Sequence, residues 1–176
     1  MIHIETKEQL QEVIRTAQAE KRSLVPVSSG APHLHGASEN PRAETVSFER
    51  MKKILKIDRR NRYARVEAGV TFGELMPKMA KAGLRLNHPF LPRADKSVAA
   101  SMLEREGVLV PKYQYDYTDP LLTAEVVYGN GEVFHTGSAA GPGPQEELTA
   151  DMVCPWDPVR SILTAFSAVR RVRWGL

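Results

Sequence analysis

The chain has a single cysteine, Cys154, among its 176 residues, which excludes an internal disulfide and fits a reducing compartment. Its surroundings, Cys154-Pro155-Trp156, carry no signature of a nucleophilic thiol, so it reads as a small hydrophobe or an incidental surface residue. No run of about 18 apolar residues occurs, so nothing in the sequence has the length of a membrane span. The opening Met1-Ile2-His3-Ile4-Glu5 lacks the basic-then-apolar layout of a signal peptide. These absences point to a cytoplasmic protein. Charge of one sign is also scarce: 24 Lys and Arg stand against 21 Asp and Glu, and a net +3 gives no ground for nucleic acid as a partner. There is no internal repeat. A chain of this length buries one full core but not two, so residues 1–176 are expected to form a single domain.

What the sequence does have is a loop of small residues. In residues 23–36, Ser-Leu-Val-Pro-Val-Ser-Ser-Gly-Ala-Pro-His-Leu-His-Gly, a short β-prone run empties into a segment with no acidic or basic side chain other than histidine. Gly and Ser keep bulk away from the backbone, whose N–H groups can then approach an anion such as a phosphate or pyrophosphate. The same composition suits an ordinary surface turn.

Along the chain, residues 2–4 alternate as a first strand. Thr6-Lys7-Glu8-Gln9 has the form of a capping box, and Leu10, Val13, Ile14 and Ala17 follow at helical spacing to about Glu20. Strands are expected at residues 24–27 and 45–48. Two alternating runs, 54–58 and 63–70, around the polar turn 59–62 predict an antiparallel hairpin. Thr71-Phe72-Gly73-Glu74 is a second capping box, opening a helix with Leu75, Met76, Met79 and Ala80 on one face and Gly83 at its end. A short strand is expected over 84–86 and a short helix over 97–103. Gly129-Asn130-Gly131 predicts a hairpin between strands 121–128 and 132–136. Asp157-Pro158 predicts a last helix carrying Val159, Ile162, Leu163 and Phe166, followed by a strand over 169–174. Tyr113, Tyr115 and Tyr117 alternate in a segment that reads as an extended edge or loop, a packing stripe more than a ligand platform.

Two motifs align with a known pattern. Val46-Ser47-Phe48-Glu49-Arg50-Met51 precedes Ile54 and Ile57-Asp58; then Ala64-Arg65-Val66-Glu67-Ala68-Gly69-Val70-Thr71 leads into Glu74-Leu75. With Thr123-Ala124-Glu125-Val126-Val127-Tyr128-Gly129-Asn130-Gly131-Glu132-Val133 in the place of a final hairpin, the chain resembles PCMH-type (vanillyl-alcohol-oxidase-like) FAD-binding domains, as found in glycolate and D-lactate dehydrogenases. The resemblance runs from about residue 6 to residue 137.

It implies an α+β fold of two subdomains, about 1–68 and 69–176, with mixed and antiparallel sheets flanked by helices and FAD held between them. By position, Ser28, Ser29, Gly30, Ala31, Pro32, His33 and Gly36 line the diphosphate. Ser97, Val98, Ala99, Ala100 and Ser101 take the place of the family's second glycine motif beside the flavin. Glu125, Val126 and Val127 meet the adenine end. The first loop and the second motif both carry larger residues where the family has glycine, placing extra methyls beside the ring. Family enzymes continue into a cap domain, so the resemblance implies that a second protein subunit supplies the substrate or electron-acceptor site. The activity it implies is that of an FAD-dependent oxidoreductase acting on a 2-hydroxy acid or similar substrate; the alternative is a degenerate, non-catalytic subunit with the same fold. No catalytic residue is assigned. His33 and His35 form a His-x-His pair but lack a third ligand cluster, so no metal is expected. His88 reads as a polar loop residue, and Arg170, Arg171 and Arg173 as a solvated strand face.

Overall fold

The first helix begins where Thr6 accepts the Gln9 N–H through its Oγ1 at 3.2 Å and the Gln9 side chain takes the Thr6 N–H at 3.3 Å. In the computed structural model, which describes residues 1–29, 41–86, 92–104, 123–135 and the backbone of 161–162 and 167–170, this capping box opens α1 (Lys7–Ala19). The helix ends at Glu20 with Lys21 in the left-handed region, φ 54°. Leu10, Ile14 and Ala17 form its buried stripe.

That stripe lies on a parallel sheet made of β1 (Ile2–His3), β2 (Leu24–Val27) and β3 (Glu44–Ser47), ordered β1-β3-β2. Ile4, Val46, Phe48 and Met51 complete the core there. The predicted hairpin is present as β4 (Ile54–Asp58) and β5 (Tyr63–Val66), and β9 (Ser167–Arg170) extends it antiparallel. Arg62, φ 59°, makes the tight turn between them. The second core is formed by Ala64 and Val66 with α2 (Phe72–Lys81), α3 (Val98–Leu103), Leu84 and Leu86. A third sheet, ordered β7-β6-β8, contains β6 (Glu125–Tyr128), β7 (Val133–His135) and β8 (Ser161–Ile162). Its central strand joins one core and a small third cluster: Val127 belongs to the α1 cluster, and Val126 packs with Ala99 of α3 and Ala124. The hairpin turn also rests on α1, where Gln11 Nε2 donates to the Gly131 carbonyl at 2.7 Å. No helix among the described residues is long and apolar enough to cross a membrane.

Three expectations are corrected. Ser161–Ile162 is strand β8, paired antiparallel with β6, where a helix through Ile162 was expected. The β6 edge offers a ladder that a local Asp-Pro helix start does not anticipate. Residues 84–86 form no strand: Gly83, φ 70°, closes α2 by donating to the Ala80 carbonyl while Leu84 N–H reaches back to Met79, and both Leu84 and Leu86 turn into the core. The strand expected over 169–174 begins earlier, at Ser167. Cys154, Asp157, Pro158, Val159, Arg173 and the tyrosine segment 113–117 lie outside the described residues.

At the start of α2, Glu74 Oε2 accepts the Thr71 N–H at 3.0 Å, and Lys52 Nζ stands 3.4 Å from Glu74 Oε1. Burial alone would raise the Glu74 carboxyl, but the Thr71 N–H and the Lys52 ammonium outweigh it and leave it below the usual carboxylate value. A lowered folded-state value means the stabilisation is present above the unfolded value and lost as pH falls through the folded one. The Glu74 side chain is 38% exposed, so Glu74→Gln is expected to cost only about 0.5–1 kcal/mol near pH 7. In urea melts at a series of pH values, that gap should close below about pH 4.

Candidate functional site

Strand β2 ends at Val27, which is paired with Ser47, and the chain then delivers Ser28 and Ser29 to the end of the parallel sheet. Ser29 is 4% exposed and its Oγ accepts the Ser97 N–H at 3.2 Å. Ser97 is fully buried at the N-cap of α3; its Oγ donates to the Ala68 carbonyl at 2.6 Å and accepts the Ala100 N–H at 3.2 Å. Three segments far apart in sequence are thereby joined: the end of β2, the start of α3, and the Ala64-to-Thr71 motif. The motif itself is bonded to the other family stretch. Gly69 N–H donates to the Met51 carbonyl and the buried Glu67 carboxylate accepts the Lys53 N–H at 2.7 Å. The two motifs are thus one structural unit.

A cavity of about 380 Å³ opens at this junction, lined by Ser29, Glu49, Lys52, Gly69, Thr71 and Asp95. Arg93 hydrogen-bonds Asp95 and lowers its carboxyl below the usual range. Among the described lining residues Lys52 is the one cation, and it is paired with Glu74, while the carboxylates of Glu49 and Asp95 share the lining. An anion approaching the loops would therefore rely on backbone N–H groups and hydroxyls more than on cationic side chains.

Of the residues expected at the diphosphate, the structure describes Ser28 and Ser29; Gly30, Ala31, Pro32, His33 and Gly36, with His35 and His88, lie outside the described residues. Ser28 Oγ is buried and has no hydrogen-bond partner among them, the condition in which a buried hydroxyl fits a ligand oxygen. Within residues 97–101 the side chains separate. Val98 joins the α2 core and Ala99 packs on Ala124 and Val126, while Ser97 and Ser101 are buried. Ala100 alone of the five has open surface. One of the two methyls replacing glycine is thus absorbed by the core, and one faces outward.

Glu125, Val126 and Val127 are buried. Glu125 is held by Lys7 Nζ at 3.0 Å, with Arg65 and His135 each at 3.8 Å. Among the described residues, the β8 pairing joins Val127 to Ile162 and Tyr128 to Ser161. The structure therefore brings Ser29 and residues 97–101 together directly, and β6 reaches them through Ala99. Among the described residues no group of His, Cys, Asp and Glu is arranged to hold a metal. Sequence reasoning assigned none of Glu49, Lys52, Gly69, Thr71 and Asp95 to the site; Glu49, Gly69 and Thr71 were within reach, since the two motifs that carry the resemblance contain them, and Lys52 and Asp95 lie outside those motifs.

Fold and loop arrangement define the class, a PCMH-type α+β cofactor domain. A family model described as an FAD binding domain matches residues 1–137. The chain belongs to this family, and its cofactor is FAD. It is 31% identical over 141 residues to the flavoprotein subunit of 4-cresol dehydrogenase (hydroxylating) from Pseudomonas putida, a match covering 78% of this chain and 27% of that protein. Among solved structures, p-cresol methylhydroxylase with substrate bound superposes with a TM-score of 0.67 at 25% identity, over 96% of this chain and 34% of that one. The 4-ethylphenol oxidase of Gulosibacter chungangensis, in an isoeugenol complex, gives 0.71 at 23% identity over 97% and 34%. The chain spans about a third of the length of these relatives.

Proposed function

We propose that this chain holds FAD for a flavin-dependent oxidoreductase, as its flavoprotein subunit or part of one. Ser28, Ser29, Gly30, Ala31, Pro32, His33 and Gly36 receive the diphosphate, residues 97–101 lie along the flavin with Ala100 nearest, and Glu125, Val126 and Val127 back the adenine end. Residues 1–68 and 69–176 are its two halves. The observation that carries this reading is the Ser29–Ser97 hydrogen bond, which joins the end of the first loop's strand to the start of α3, the two stretches that the resemblance assigns to one cofactor. FAD, when bound, supplies two-electron redox chemistry; the part of the protein is to bind, orient and tune it.

The substrate-contacting residues belong to sequence beyond this segment or to a second chain, which fits the third of their length that the relatives share with it. For the substrate itself, the likeness to a 4-cresol dehydrogenase subunit favours a phenol with a para alkyl group over the 2-hydroxy acid expected from sequence. The single cysteine supports a cytoplasmic setting. Absorption of the Ala99 methyl into the core argues against the degenerate, flavin-free alternative.

Titration of FAD into flavin-stripped protein tests the loop assignment. Saturable quenching of flavin fluorescence is expected for the wild type and none for Gly30→Trp, with an unchanged melting curve. Equal quenching in both would place the diphosphate elsewhere.

A further inference from the structure

At the end of the molecule away from the candidate site, the β4–β5 turn carries Arg59, Arg60 and Arg62, and the end of α2 carries Lys78 and Lys81, with Arg85 just beyond. The two segments touch: a Cβ built on Gly83 would lie 3.8 Å from the Arg59 guanidinium. All six side chains are exposed apart from Arg62, which is half-buried. None of the six has an ion-pair partner among the described residues, whereas Lys7, Arg22, Arg50, Lys52, Lys56, Arg65, Arg93 and Lys96 are each paired with a carboxylate. The acid nearest in sequence, Asp58, is taken by Lys56 and Asn61. For a chain of net charge only +3, this is a marked concentration. Lys78 and Lys81 have a local explanation in the dipole at the end of α2; the four arginines have none.

The geometry points to this basic face as the docking surface for an acidic face of a second protein chain. The inference deepens the second-chain part of the proposed function and rests on it. Four guanidiniums suit carboxylates, which they bind as a planar fork, and arginine is enriched at protein interfaces. Nucleic acid fits less well, because the one aromatic ring at the turn, Tyr63, is already occupied by Lys56 Nζ at 5.3 Å from its centre. A membrane fits less well too: the exposed large hydrophobics among the described residues are Met1, Leu55 and Leu103, none of them in the turn or at the end of α2. The face stands one length of α2, about 15 Å, from Thr71 at the cavity.

The test uses immobilised polyglutamate, duplex DNA of arbitrary sequence and phosphatidylserine vesicles as probes, against the wild type, Arg59→Glu/Arg60→Glu/Arg85→Glu, and Lys53→Glu as a control on another face. Polyglutamate should bind the wild type at low salt and weaken as salt rises. The triple variant should bind it about tenfold or more weakly, and Lys53→Glu as the wild type does. Absence of polyglutamate binding, or binding indifferent to the triple change, would overturn the inference. So would tighter binding of DNA or vesicles through the same arginines. FAD content measured on the same samples separates the two readings: a variant that keeps FAD but loses polyglutamate supports the face as distinct. A wild type that binds polyglutamate yet takes up no FAD leaves the face standing while the flavin assignment fails.

Discussion

Gly69→Ala is expected to lower the unfolding free energy by about 3 kcal/mol and the melting temperature by roughly 10 °C. A Cβ at this position would lie 2.1 Å from the Phe48 carbonyl oxygen and 2.9 Å from that of Met51. Both are backbone atoms, so no side chain can swing away to make room. The chain cannot back off cheaply either. Gly69 N–H donates to the Met51 carbonyl at 2.9 Å, and Met51 N–H in turn donates to Phe48, so a retreat breaks the bond that joins the two motifs. The neighbouring Ala68 carbonyl receives the Ser97 hydroxyl, so the damage passes to the junction of the loops. Urea denaturation of the two proteins side by side is the measurement. An unchanged midpoint would mean that the Phe48-to-Met51 turn does not stand against Gly69.

Ala100→Trp should act on the cofactor and leave the fold intact. Ala100 is the residue of the second loop with open surface, while its neighbours are committed to the core or to the Ser97 network. An indole there would fill the space assigned to the flavin without entering the interior. FAD retained per chain is expected to drop about tenfold or more, a loss of at least about 1.4 kcal/mol of binding, with the thermal transition within a few degrees of the wild type. Ala99→Trp offers the contrast. Its side chain packs on Ala124 and Val126, so the same bulk should unfold the domain. Retention of FAD by Ala100→Trp would remove the second loop from the site.

The sequence made some of these features readable and hid others, and the division is physical. Capping boxes are local, so Thr6 with Gln9 and Thr71 with Glu74 marked their helices directly. The hairpins at residues 54–66 and 125–135 were equally plain, because alternation and a turn of Gly and Asn act over a few residues. Pairing across long separations was not readable. Nothing local to Ser161 and Ile162 announces that β6 will take them as a neighbouring strand, and the local Asp-Pro signal pointed to a helix. The same limit applied to the site. Resemblance placed Ser29 in the first loop and Ser97 in the second glycine motif of one cofactor domain, but only the fold brings the hydroxyl of one to the amide of the other. It also takes three-dimensional packing to sort Ala99 from Ala100: adjacent alanines in a small-residue helix look alike in sequence, and one is interior and the other is not. Glu49, Lys52 and Asp95 line the cavity because the Phe48-to-Met51 turn and the segment before α3 are folded onto Gly69 and Gly73. Their residue types alone carried no such message.

The claim on which the account turns is that the two serine-linked loops hold FAD. Its most direct measurement is the flavin released from the purified protein on denaturation, identified by chromatography and counted against protein concentration. The account predicts FAD approaching one per chain, after supplementation if purification strips it. A folded protein that carries no flavin and takes up none from added FAD would contradict it.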